Sequence, residues 1–92
     1  MTNQEMAAVF REIAELLAYK KESWFKIRAY RKVADEIDKL TTDISTLVKE
    51  KRLGEISGVG EAISKKIMEM ADTGDLQYLH RLKKEVTEKT GA

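Results

Sequence analysis

Gly58-Val59-Gly60 is the part of this sequence best suited to chemistry that uses the main chain. Two glycines two residues apart permit backbone angles that side chains forbid. Without side chains, a second strand can approach that backbone closely. The surrounding string, Leu53-Gly54-Glu55-Ile56-Ser57-Gly58-Val59-Gly60-Glu61-Ala62-Ile63, reads as two helices joined by a short turn. A helix that opens at Gly60 leaves its first N–H groups unpaired and pointing outward. Such an end carries partial positive charge and binds phosphate oxygens. Val59 is placed to lock the turn by packing between the two helices. The bland alternative is an ordinary glycine-linked helical turn.

Two lysines stand on or beside apolar stripes. Lys66 lies three residues after Ile63 and four before Met70, so it flanks the stripe rather than the outer face. Lys26 shares helical spacing with Tyr30, Val33 and Ile37. A lysine on such a line is partly desolvated, which lowers its pKa, and a neighbouring lysine lowers it further. An unperturbed lysine, at about 10.4, is neutral in roughly one part in a thousand near physiological pH. An amine that acts as a nucleophile therefore needs such surroundings. The competing reading is that both lysines lay their stems on apolar neighbours and keep their charge in water. Charge is also uneven along the chain. Residues 19–32 carry six bases (Lys20, Lys21, Lys26, Arg28, Arg31 and Lys32) against Glu22, whereas residues 33–55 carry six acids and four bases. A local basic patch on a chain of net charge +1 can bind phosphate, or it can be a solvated helix face.

Five helical segments must position these groups. Thr2-Asn3-Gln4-Glu5 has the spacing of a capping box. Met6, Val9, Phe10, Ile13, Leu16 and Leu17 then recur at helical intervals, which predicts a first helix to about Lys20. Ser23 is placed to cap a second helix carrying Ile27, Tyr30, Ala34, Ile37 and Leu40. Thr41 and Thr42 break that pattern and can cap a short third helix with Ile44, Leu47 and Val48, ended by Gly54. A fourth helix from Gly60 carries Ile63, Ile67 and Met70, and Gly74 sits where a left-handed stop belongs. Asp75 is placed to cap a fifth helix with Leu76, Leu79, Leu82 and Val86 inward. Lys65 and Glu69 have the spacing of a helical ion pair. Trp24 reads as a core anchor in preference to a stacking surface, and His80 as a surface residue. Residues 87–92 are polar and are expected to fray.

Composition removes several function classes. The 92 residues suit one all-α domain, a compact bundle of four to five short helices. The sequence has no proline, which favours helix, and no cysteine, which excludes disulfides and thiolate metal sites. One histidine cannot build a histidine metal cluster or a Ser-His-Asp triad. No apolar run approaches the roughly 18 residues of a membrane span, and residues 1–5 lack the charged and apolar regions of a secretory signal. A cytoplasmic protein without membrane contact is the expectation.

The hairpin string resembles the helix-hairpin-helix family, whose members grip the DNA backbone without reading sequence. That resemblance implies a monovalent cation, sodium or potassium, on hairpin carbonyls, here those of Gly54, Ile56 and Val59. No other cofactor is implied. The likeness extends further. Phe25-Lys26-Ile27-Arg28-Ala29-Tyr30-Arg31-Lys32-Val33-Ala34 resembles the second helix of the amino-terminal lyase domain of family X DNA polymerases, polymerase beta-like, in wording closest to bacterial and archaeal members. The first helix and Thr73-Gly74-Asp75-Leu76 with Leu79 also resemble that domain, so the likeness spans nearly the whole chain. It implies an excised domain or a stand-alone relative, with no polymerase activity from this chain by itself.

Residue by residue, the resemblance implies a site for 5′-deoxyribose phosphate, met in base excision repair. In that family a lysine after the hairpin attacks the sugar aldehyde, a Schiff base forms, and β-elimination releases the sugar; its match is Lys66. Lys26 matches a lysine that holds the 5′-phosphate, and Tyr30 matches a tyrosine one turn later. A second phosphate-binding lysine is replaced by Ala62, with Lys65 or Arg31 as candidate substitutes, and Phe25 replaces a histidine that stacks near a template base. Arg28, Arg31 and Lys65 complete the expected DNA contacts with Gly58, Val59 and Gly60. Three readings follow. The first in rank is a non-catalytic module for gapped, nicked or single-stranded DNA with a 5′-phosphate, able to target polymerase domains of the same parent chain. The second is a lyase acting through Lys66, and the third is a helical protein-interaction module, favoured by a wide exposed apolar patch.

Overall fold

The capping box forms as expected. In the computed structural model, which describes residues 1–89, the Glu5 N–H donates to Thr2 Oγ1 at 3.0 Å and the Thr2 N–H donates to Glu5 Oε1 at 2.7 Å. Helix α1 then runs over Asn3–Tyr19, and Met6, Phe10, Ile13 and Leu17 are fully buried along one face. Helix α2, Trp24–Asp38, lies across α1 and buries Ile27, Tyr30, Val33, Ala34 and Ile37, stopping before Leu40. Arg11 ties the two helices from outside, reaching Asp35 at 2.9 Å and Asp38 at 2.6 Å. Helix α3 spans Ile44–Lys49, α4 Glu61–Thr73 and α5 Gln77–Lys89. The described residues are thus all helix and turn, around a core fed by every helix. None of the described helices is long and apolar enough to cross a membrane.

Helix ends depart from expectation more than helix bodies do. Ser23 occupies the cap position of α2, but its hydroxyl makes no capping bond. Asp43, not Thr41 or Thr42, caps α3 by accepting from the Ser45 N–H at 2.9 Å. Asn3 clamps the same turn, donating to the Thr42 carbonyl and accepting from the Ile44 N–H, both at 2.9 Å. Gly54 does not end α3. The left-handed stop is Lys51, φ 56°, and the Arg52 N–H closes it on the Leu47 carbonyl at 2.8 Å. Lys21, φ 59°, ends α1 in the same way. Gly54 lies instead inside a single 3-10 turn, Leu53–Glu55. Gly74, φ 75°, does stop α4 as expected.

Asp75 stands at the entry to α5, where its carboxylate accepts from the Leu76 N–H and holds His80 at 2.8 Å, while the Gln77 N–H donates to Glu69 at 2.8 Å. With Glu69 so engaged, Lys65 pairs with Glu61 at 3.4 Å. Helix α5 runs on through residues 87 and 88, and residues 90–92 of the expected polar tail lie outside the described residues.

Candidate nucleic-acid interface

The hairpin stands open. The Arg52 guanidinium fixes its entry, donating to both oxygens of Glu55 at 2.9 Å and to Glu50 at 2.6 Å. The 3-10 turn buries Leu53 and sends Ile56 into the core, and the Val59 N–H returns to the Ile56 carbonyl at 3.2 Å. Val59 is half-buried against the core, as its locking role requires. Gly58 and Gly60 are exposed and differ in their reasons for being glycine. Gly58 has φ 87°, a backbone that side chains resist. A Cβ on it would stand 3.6 Å from the Lys32 stem, an ordinary contact, so the backbone angle alone sets the requirement. Gly60 has φ −96°, which any residue adopts, and a Cβ there would meet nothing within 4 Å. The fold needs glycine at 58, while the empty space at 60 faces outward.

Gly60 is the cap position of α4 and offers no side-chain acceptor. The first intrahelical bond runs from the Ser64 N–H to the Gly60 carbonyl at 2.9 Å. The N–H groups of Glu61, Ala62 and Ile63 therefore have no acceptor in the helix. Glu61 and Ala62 are exposed, so these amides are within reach of a solvent-side anion. Lys32 packs its stem beside Gly58, a contact that the sequence reading did not single out. Lys65 is exposed one turn along α4.

A second arrangement lies between α4 and α5. Lys66 is half-buried, and its Nζ sits 4.6 Å from the centroid of the Tyr78 ring. Burial lowers its pKa below the ordinary lysine value, the nearby Arg81 guanidinium lowers it further, and Glu69 opposes both. Arg81 lies over the same ring at 5.1 Å. Sequence reading missed Tyr78 and Arg81 as site residues. Their i, i+3 spacing puts them on one helical face, which is the one signal that was available.

Other expected site residues fall elsewhere. Tyr30 is 8% exposed, stacked at 5.9 Å on Phe10 and at 6.4 Å on Tyr78. Burial, with Tyr78 alongside, pushes its phenol up to about 12. Lys26 is not on a buried line. Its side chain is 61% exposed and faces Glu22 at 3.9 Å, so the desolvation expected there belongs to Lys66 instead. Trp24 is not a core anchor either. It is 60% exposed, edge-on to Phe25 at 5.7 Å, with the Arg28 guanidinium 5.0 Å above its ring. Phe25 is 78% exposed. The first turn of α2 thus projects beyond the core. Arg31 is exposed in a separate cleft with Arg11, Glu15 and Asp35 and does not join Lys66. Lys26 does approach the Lys66 region: Tyr78 and Arg81 line both the cleft holding Lys66 and the neighbouring one holding Lys26.

Two chemistries are therefore available. One is an array of main-chain N–H donors at an open helix end. The other is a half-buried amine with a second cation beside it. Comparison with families of known proteins matches the helix-hairpin-helix domain over residues 1–76. No curated protein matches the chain.

Proposed function

The chain belongs to the helix-hairpin-helix domain family, and on that premise we propose that it binds DNA through the sugar–phosphate backbone without reading base sequence. The open α4 terminus behind Gly60 carries this reading, because it offers unpaired amides and clear space at the same point. Its preferred DNA is gapped or nicked with a 5′-phosphate, in base excision repair, acting in the cytoplasm as a domain or relative of a family X DNA polymerase. The exposed Trp24 and Phe25 rings beside Arg28 support a preference for unpaired bases, since an open ring face can stack on a base. No cofactor is required. A sodium or potassium ion would lie on the carbonyls of Gly54, Ile56 and Val59; the Ile56 oxygen already takes the Val59 N–H, which leaves it a second lone pair.

The test is binding against salt. With about four phosphate contacts, affinity falls roughly a hundredfold between about 50 and about 200 mM salt, and gapped DNA with a 5′-phosphate binds more tightly than intact duplex. Constant affinity over that range removes the phosphate-gripping site.

One observation favours a second reading, a 5′-deoxyribose phosphate lyase. Lys66 has the partial burial and lowered pKa that a Schiff-base amine needs. Borohydride trapping on an incised abasic site separates the two readings, because a binding module gives no covalent adduct.

A further inference from the structure

One face of α2 joins its aromatic first turn to the hairpin. Phe25, Arg28, Ala29 and Lys32 follow one another at helical spacing, and all four are exposed. The core takes the opposite residues, Ile27, Tyr30, Val33 and Ala34. At one end of this face the Lys32 stem lies 3.6 Å from the place of a Gly58 Cβ, so its amine ends beside the hairpin. At the other end the Arg28 guanidinium stands 5.0 Å above the Trp24 ring. Among the described residues neither Arg28 nor Lys32 forms an ion pair with a carboxylate. The acids closest to them in sequence are engaged elsewhere: Glu22 with Lys26, Asp35 with Arg11 and Glu36 with Lys39. Trp24 and Lys32 are separated by roughly 12 Å of helix. That is the rise of about three to four stacked nucleotides at about 3.4 Å each.

We infer that this face of α2 carries the unpaired strand away from the hairpin, with Lys32 and Arg28 on its phosphates and a base taking the place of the Arg28 guanidinium on the Trp24 ring. An exposed cation–π contact is weaker than base stacking, so the exchange is favourable. The released guanidinium gains a phosphate. Ala29, between the two cations, leaves room for the sugar–phosphate chain. The inference rests on the DNA-binding reading and adds a path to it, in which Lys32 couples the hairpin amides to the stacking ring. The amides can hold intact duplex without any such path, so the two fail separately.

Trp24 is the single tryptophan of the chain, so its emission reports the stack directly. The experiment titrates the chain with three DNAs: an intact duplex, a duplex with a gap of about four nucleotides, and the same gapped duplex with abasic linkers in its unpaired stretch. Gapped DNA is expected to quench the emission, and the other two to leave it near its free value. Lys32 is exposed, so Lys32→Gln should fold, as a melting curve would verify. In that variant the preference for gapped over intact duplex, read by anisotropy, narrows about fivefold, and Lys32→Arg restores it. Gapped DNA that binds without quenching overturns the path and leaves the hairpin reading standing. Equal quenching by the abasic linkers overturns it as well, because the ring then responds to phosphate and not to a base. An unchanged preference in Lys32→Gln overturns the coupling. A chain that binds none of the three DNAs overturns both readings.

Discussion

The hairpin and the α4–α5 cleft both offer N–H donors to an anion, but they are built from different parts of the chain. At the hairpin the donors are main-chain amides, and side chains matter mostly by being absent. In the cleft the donors are side chains from two helices, gathered on the ring of Tyr78. A backbone site depends on local dihedral angles, so a few adjacent residues specify it. A side-chain site depends on how helices meet, so residues far apart in sequence specify it jointly. If both proposed readings hold, damage to the first appears in overall grip, and damage to the second in covalent chemistry.

The largest effect that separates the regions is expected at Lys66. If the lyase reading holds, Lys66→Ala abolishes the borohydride adduct altogether and leaves affinity for gapped DNA within a fewfold of native. An adduct that survives in the variant moves the nucleophile elsewhere.

The two hairpin glycines give the next largest effect, and in opposite directions. Gly60→Ser is expected to fold at least as well as the native chain, because serine can cap α4. Its side chain nevertheless occupies the approach to the amides, and DNA affinity falls about tenfold. Gly58→Ser forces a side chain to φ 87° and costs roughly 1–2 kcal/mol of stability. Thermal melting alongside binding isotherms checks both; a Gly60→Ser chain that binds normally would end the comparison.

Tyr30 belongs to the core side of the cleft, and pH reports this. The folded chain keeps the phenol proton up to about 12, whereas an unfolded tyrosine loses it near about 10. Its stabilising contribution is complete below about pH 10 and is lost as pH rises through about 12, up to roughly 2 kcal/mol. Tyr30→Phe should remove that alkaline decline in denaturant titrations. The smallest effect is assigned to Lys65, which is exposed and paired with Glu61. Lys65→Ala should change stability by no more than a few tenths of a kcal/mol and shallow the salt dependence slightly.

Helix bodies were legible because apolar spacing repeats over several turns, as at Phe10, Ile13 and Leu17. One of the stops was not. Lys51 adopts a left-handed angle without being glycine, so Gly54 stands in the sequence as the expected end of α3 in place of Lys51. The hairpin was legible for the reason already given: its information is local. Tyr78 and Arg81 were not, because the turn at Gly74 brings α5 back toward Lys66 at an angle that spacing alone does not encode. Lys26 and Trp24 were misplaced because periodicity describes a helix face but not where a neighbour stops covering it. Burial on α2 begins at Ile27, leaving the turn before it outside.

The Phe10, Tyr30 and Tyr78 rings form a stacked column from the most buried part of α1 to the surface where Lys66 sits. Packed rings do not compress, so the column acts as a fixed spacer. Trimming Phe10 would let the outer ring sink and carry the amine's resting place with it. The interior and the surface around Lys66 are therefore not free to vary separately: the choice of residue at one end of the column sets the tolerance at the other.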